Sequence, residues 1–237
     1  MRKGKKMLTV ISLVIFLCAL VFVAYELFKV RKINVAGCET RSQDSIIALS
    51  GLEYHESIYL VDKQEVLNAL ASDPYIKPIE VEFKYPDSVL ITIEERKEAA
   101  CIEKDGAFVV IDHEGWVLKV VMTPEEAPYP LVIGLPADSM AVGNQIGTTD
   151  TFKIGVLMRV LDASAVAGFA VNTIDISLAA DIAMTLSDGL IVELGDDTEL
   201  AEKLRLVEAS KQGIAQFGKS GGVLDVSSVK NAYYREN

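Results

Sequence analysis

With 237 residues, half of them apolar, the chain is long enough for one large or two small self-supporting cores. Its formal charge of −11 argues against nucleic-acid binding, and three cysteines are too few for a disulfide-built domain. The charge is uneven: Arg2, Lys3, Lys5 and Lys6 come first, leaving 19 of the 23 basic residues to face all 34 acids beyond them, a balance of −15.

The uncharged run Met7–Tyr25 separates these two parts. At about 1.5 Å per residue it reaches roughly 28 Å, the thickness of a bilayer core, which predicts a transmembrane helix drawn over residues 7–27. Four basic residues before it predict a cytoplasmic tail over residues 1–6 and an extracytoplasmic remainder. Signal-peptide apolar regions are shorter, about 7–15 residues, and end in a small-x-small site, whereas this run passes into Val23-Ala24-Tyr25-Glu26; a retained anchor is expected. Outside the anchor Cys38 and Cys101 could pair, but they do not make a disulfide framework.

After the anchor, Val30–Gly37 reads as a short strand and turn, with Ile33 and Val35 on one face. Thr40 and Ser42 are candidate N-caps for a helix carrying Ile46, Ile47 and Leu49 that stops at Gly51. A second helix begins at Asp62, has Glu65 in capping-box position, buries Val66, Leu67 and Leu70, and ends at Asp73-Pro74. The clearest alternation follows, with Ile79, Val81 and Phe83 opposite Glu80, Glu82 and Lys84. A turn at Tyr85-Pro86-Asp87-Ser88 leads to Val89, Ile91 and Ile93. This predicts a hairpin with one buried face, and the charge run Glu94–Glu98 reads as its exposed end.

From Ala99 the pattern changes to short strands punctuated by Asp105-Gly106, Glu114-Gly115, Ala179-Ala180-Asp181 and Ser187-Asp188-Gly189. A three-stranded meander is expected over Thr173–Leu178, Ile182–Leu186 and Leu190–Leu194. Phe152, Val156 and Val160 mark one helix, and Leu200, Leu204 and Val207, after Asp196-Asp197, mark another. Lys119–Met140 reads as irregular chain. Val223–Val226 follows Gly221-Gly222, and Val229–Tyr234 is expected as the final strand. As the last element it could lie at a sheet edge, open to a strand from another chain, or simply close a hairpin. The fold class is α+β: one transmembrane helix, a small β-α-α-β-β domain over residues 28–97, then a mostly antiparallel β domain with two helices over residues 98–237.

Catalytic signals do not assemble. Gly218-Lys219-Ser220-Gly221-Gly222 matches G-x-S-x-G, but with a helix before and a strand after, the reverse of a nucleophile elbow; His55 and His113 both lie upstream. Ser227-Ser228-Val229-Lys230 fits S-x-x-K only in an order opposite to that of penicillin-binding enzymes. Asp112-His113-Glu114-Gly115 holds potential metal ligands in what reads as a solvated turn, with no second His or Cys nearby. No catalytic, cofactor or metal site is expected. A membrane-anchored extracytoplasmic cell-wall enzyme is the competing class of function.

The succession of basic tail, span, Ile33-x-Val35-x-Gly37, two helices, Asp73-Pro74-Tyr75-Ile76 and Tyr85-Pro86-Asp87-Ser88-Val89-x-Ile91-x-Ile93-x-Glu95-Arg96 resembles the FtsQ/DivIB family of bacterial cell-division proteins. Asp112-x-x-Gly115 and Asp188-Gly189-x-x-Val192-x-Leu194-Gly195 extend the resemblance. It implies a POTRA domain next to the membrane, a β domain beyond it and no catalytic activity. It also implies a scaffold of the division septum that holds the coiled-coil partners FtsL and FtsB/DivIC and helps coordinate septal peptidoglycan synthesis by FtsW and FtsI. The resemblance makes the last strand, at Asn231, Ala232, Tyr233 and Tyr234, the expected partner-binding segment. Cofactors are not implied.

Overall fold

The computed structural model describes residues 2–135, 139–147, 150–217 and 221–236, with side chains from Ile11 onward. It divides into two compact units, Met1–Glu95 and Arg96–Asn237.

The first unit opens with helix α1 (Arg2–Leu27). Its described side chains, Ile11–Leu27, carry an exposed apolar series that includes Leu13, Ile15, Leu17 and Phe22. Among the described residues no helix is long and apolar enough to cross a membrane, and the expected tail and the start of the expected span fall before the first described side chain. Strand β1 (Lys32–Ala36) alternates exposed and buried residues, pointing Ile33 and Val35 inward. Helix α2 (Gln43–Ser50) is capped by Ser42, whose side chain accepts from the Ser45 N–H, and it stops at Gly51. Helix α3 (Lys63–Leu70) is capped by Asp62, whose carboxylate accepts from the N–H groups of Gln64 and Glu65. Strands β2 (Ile76–Lys84) and β3 (Ser88–Glu95) pair antiparallel, and β1 pairs parallel on the other side of β3. The sheet order β1-β3-β2 with α2 and α3 packed against it encloses Ile46, Ile58, Leu70, Val89 and Ile91, all at 0% exposure.

Two features of this unit depart from the simple alternation. The β2–β3 register shifts between Pro78 and Glu80, so Ile79 lies in a bulge and is exposed instead of joining Val81 in the core. Proline cannot donate to a ladder, which fits a break in pairing beside Pro78. The charge run is not a solvated end either. Glu95 folds back on the loop before α2, where its carboxylate accepts from the N–H groups of Glu39 (2.9 Å), Thr40 (3.0 Å) and Arg41 (3.0 Å) and from the Thr40 hydroxyl. Burial would raise its pKa, but the Thr40 hydroxyl and the three N–H groups outweigh this and hold it at about 2. The loop approaches β3 so closely that a Cβ on Gly37, at φ +91°, would sit 1.8 Å from the Ile93 carbonyl oxygen.

The second unit is one nine-stranded sheet. Strands β4 (Ala100–Lys104), β5 (Ala107–Ile111) and β6 (Val117–Val121) form an antiparallel meander. A single 3-10 turn, Pro124–Glu126, precedes β7 (Leu131–Ile133). After helix α4 (Thr151–Ala167) comes the second antiparallel meander, β8 (Val171–Asp175), β9 (Ile182–Leu186) and β10 (Ile191–Gly195). Helix α5 (Leu200–Gln216) leads to the terminal hairpin β11 (Val223–Ser228) and β12 (Asn231–Arg235). The order is β12-β11-β10-β9-β8-β7-β4-β5-β6.

Five of its eight pairings are antiparallel; β4–β7, β7–β8 and β10–β11 are parallel. The sheet is thus mixed, and β7 corrects the reading of 119–140 as irregular: a proline-rich stretch supplies a central strand. Helices α4 and α5 pack on each other, and α4 contributes Val156, Leu157, Val160 and Leu161 to the large core while Phe152 stays exposed.

Candidate functional site

The terminal hairpin closes the sheet at one edge. Burial alternates along β12: Ala232 and Tyr234 turn toward the core cluster, while Asn231, Tyr233 and Arg235 are exposed, Tyr233 at 65%. Leu224 pairs with Tyr234 and Asp225 with Tyr233, after which the register shifts before Ser228 meets Asn231. With β11 on one side and no strand on the other among the described residues, β12 is the edge strand of the sheet, the position at which another strand can add.

Beneath the edge lies a groove of about 420 Å³ between the end of α5 and the hairpin. Gly213, Ile214 and Phe217 line its helix side, and Leu224, Ala232 and Tyr234 its strand side. Phe217 is 81% exposed at its rim. The Tyr234 hydroxyl donates to the Gly221 carbonyl at 3.1 Å, and a Cβ on Gly222 would lie 2.8 Å from the Tyr234 ring. Glycine there leaves room for the tyrosine ring, which lines the groove. The other face is polar: Asp225 pairs in register with Glu193, and the Arg235 guanidinium donates to the Glu193 carboxylate. The backbone N–H and hydroxyl of Ser227 lower the Asp225 pKa against the opposing effect of burial, with Arg235 adding to the shift.

The edge therefore combines an open strand, an apolar groove under one face and an ion pair on the other. These suit recognition of an extended segment with alternating apolar side chains. Asn231, Ala232, Tyr233 and Tyr234, the segment singled out by the family resemblance, all lie on this edge strand, and the structure sets Ile214, Phe217 and Arg235 beside them. The signal for Ile214 was present, since it lies seven residues beyond Val207 on the same side of α5.

The other singled-out residues do structural work. Asp112 is not in a solvated turn: it is 4% exposed, its Oδ1 accepts from the N–H groups of Glu114 and Trp116 at 2.8 Å, and its Oδ2 accepts from Arg96. His113 Nδ1 lies 2.9 Å from Asp162 on the surface. Ser227 donates its N–H to Asp225, and Ser228 accepts from the Lys230 N–H, so both serve the hairpin turn. Gly218, Lys219 and Ser220 lie outside the described residues. Among the described residues no group of three His, Cys, Asp or Glu side chains could hold a metal ion, and Cys38 and Cys101 are free thiols.

Residues 28–96 match the family model described as POTRA domain, FtsQ-type, and residues 100–226 match that described as Cell division protein FtsQ/DivIB, C-terminal. Cell division protein FtsQ of Geobacter sp. is 25% identical over 59% of this chain and 54% of its own length. Cell division protein DivIB of Clostridium tetani is 31% identical over 46% of this chain and 40% of its own. Cell division protein FtsQ of Syntrophotalea carbinolica is 25% identical over 82% of this chain and 70% of its own. The similarity to the first two relatives thus spans about half of their length or less.

Proposed function

Because this chain belongs to the FtsQ/DivIB family of bacterial cell-division proteins, we propose that within cell division it acts as a non-catalytic, membrane-tethered scaffold whose terminal strand captures a partner strand. In this reading α1 is the single span of the cell membrane, with residues 1–6 cytoplasmic, the POTRA domain (28–97) outside it and the β domain (98–237) beyond, at the division septum. The uncharged run Met7–Tyr25 behind four basic residues supports that topology. The partners are the coiled-coil division proteins FtsL and FtsB/DivIC, through which the scaffold helps coordinate septal peptidoglycan synthesis by FtsW and FtsI. The observation that carries the reading is the edge position of β12 in the sheet beside an apolar groove. Main-chain hydrogen bonds along Asn231–Tyr234 would supply affinity, and the groove would supply selectivity for alternate side chains.

The test is a titration of the full chain in lipid nanodiscs with FtsL and FtsB/DivIC of the same organism, beside a chain ending at Lys230 that lacks β12 alone. Binding by the full chain and its loss in the shortened but folded one is the expected result. Equal binding by both would exclude β12 as the docking edge. Turnover of peptidoglycan fragments by the full chain would overturn the non-catalytic reading.

A further inference from the structure

Three aromatic rings from three separate segments of the first unit meet next to the end of α1. Phe28 follows the last residue of α1, Tyr59 lies in the loop before α3, and Tyr85 lies in the turn between β2 and β3. Their ring centroids are 5.1 Å (Phe28–Tyr59), 5.8 Å (Tyr59–Tyr85) and 6.3 Å (Phe28–Tyr85) apart, and Phe83 stands 6.2 Å from Tyr85. Contact among rings usually accompanies burial, yet Tyr59 is 64% exposed, the adjacent Leu60 78% and Tyr85 57%. We propose that this cluster is a lipid-docking surface that seats the first unit in the interfacial layer of the bilayer holding α1; the inference rests on the reading of α1 as a membrane span.

Placement carries the argument. The Phe28 N–H donates to the Ala24 carbonyl at 3.1 Å, so Phe28 continues the last turn of α1, and the Ile58 N–H donates to the Phe28 carbonyl at 2.9 Å, fixing the Tyr59 loop at the same level. The patch is therefore continuous with the exposed apolar side chains of α1, from Leu17 and Phe22 to Tyr25, and begins where they end. Its chemistry is that of a membrane interface, where amphipathic rings lie at headgroup level and lysines keep their ammonium groups in water above apolar stems. Lys29 Nζ stands 4.9 Å from the Tyr25 ring centroid and Lys63 Nζ 4.7 Å from that of Phe83. The two lysine stems border the patch, with Lys29 paired to Glu26 at 2.5 Å, so the surface offers a bilayer an amphipathic contact rather than strong positive charge.

The experiment reads depth by tryptophan fluorescence in the full chain, reconstituted into phosphatidylcholine vesicles doped with lipids brominated near the glycerol or near the chain end. The chain's one tryptophan is removed as Trp116→Phe, and Tyr59→Trp, Tyr85→Trp and Phe16→Trp, the last at the midpoint of the uncharged run, are made singly in that background, each checked for folding by circular dichroism. The expected result is loss of most emission at positions 59 and 85 with the shallow bromolipid, weaker quenching with the deep one, and the reverse order at position 16. Deep quenching at position 16 with positions 59 and 85 bright and open to acrylamide would overturn the docking surface and leave the span intact. Emission at 59 and 85 shielded from acrylamide but unquenched by either bromolipid would mean that protein covers the patch, which also overturns it. No quenching at position 16 would remove the span itself, and the docking surface with it.

Discussion

Arg96 and Asp112 form a buried ion pair at the start of the second unit, with side-chain exposures of 7% and 5%. The guanidinium also reaches the Glu114 carboxylate at 2.9 Å and lies 4.4 Å from the Trp116 ring centroid, while the other oxygen of Asp112 closes the turn to β6. One arginine thus ties the entry of the second unit to the turn between β5 and β6.

Arg96→Ala leaves the Asp112 carboxylate buried without its cation, a change that costs about 3–5 kcal/mol in comparable buried pairs. Arg96→Lys keeps a charge but loses the planar guanidinium whose Nη1 reaches both carboxylates while its carbon lies over the Trp116 ring, so it is expected to fall between wild type and Arg96→Ala. Urea unfolding followed by Trp116 fluorescence checks this order; equal stability of all three chains would contradict it.

Glu95 predicts an acid-sensitive contribution in the first unit. Its folded pKa of about 2 lies below the ordinary glutamate value of about 4.3, so its stabilisation is present above the unfolded value and is lost as pH falls through the folded one. Glu95→Gln should be less stable than wild type at neutral pH, by about 2 kcal/mol if its charged hydrogen bonds have ordinary strength. That difference should shrink between about pH 4.3 and pH 2. Denaturant midpoints of both chains across that range check the sign.

Gly37→Ala places a methyl group on the Ile93 carbonyl and requires a left-handed conformation of a side-chain-bearing residue. A loss of about 3 kcal/mol or more is expected from these two effects together. Far-ultraviolet circular dichroism on heating gives the answer, with Gly51→Ala as a control where a Cβ meets nothing within 4 Å.

The two tyrosines of β12 should separate stability from binding. Tyr234→Ala removes a ring that packs in the groove and a hydroxyl bonded to Gly221, and should cost about 2–4 kcal/mol. Tyr233→Ala removes an exposed ring and should change stability by no more than about 0.5 kcal/mol, while weakening partner binding if its ring lies in the interface. Calorimetric unfolding beside the nanodisc titration distinguishes the two roles.

Most local structure could be read from residue pattern because its causes are local. Ser42, Gly51 and Asp62 sit where their cap chemistry requires, and the meander strands alternate with period two. What escaped depends on partners distant in sequence. Ile79 matches the inward phase of β2, and only its pairing against β3 reveals the bulge. Glu95 and Arg96 read as solvated charge because Glu39–Arg41 and Asp112, which satisfy them, are remote along the chain. At the candidate site a final strand was legible over Val229–Tyr234 and lies at Asn231–Arg235, whereas Phe217 joins the groove only because α5 packs behind β11 and β12.

Strand β7 sets the folding order to be expected of the second unit. The β4–β6 meander and the β8–β10 meander each pair sequence neighbours and share a core, but within the sheet they are joined through the three residues of β7, with Cys101 and Ile102 opposite Leu131 and Val132 on one side and Thr173–Asp175 opposite Leu131–Ile133 on the other. Loop closure must therefore be paid twice to insert a strand with three residues of pairing in return. The seam should form late and open early: amides of β7 should exchange with deuterium faster than those of β5 or β9 under native conditions, and a uniform exchange rate across the sheet would show that the halves are not separate cooperative units.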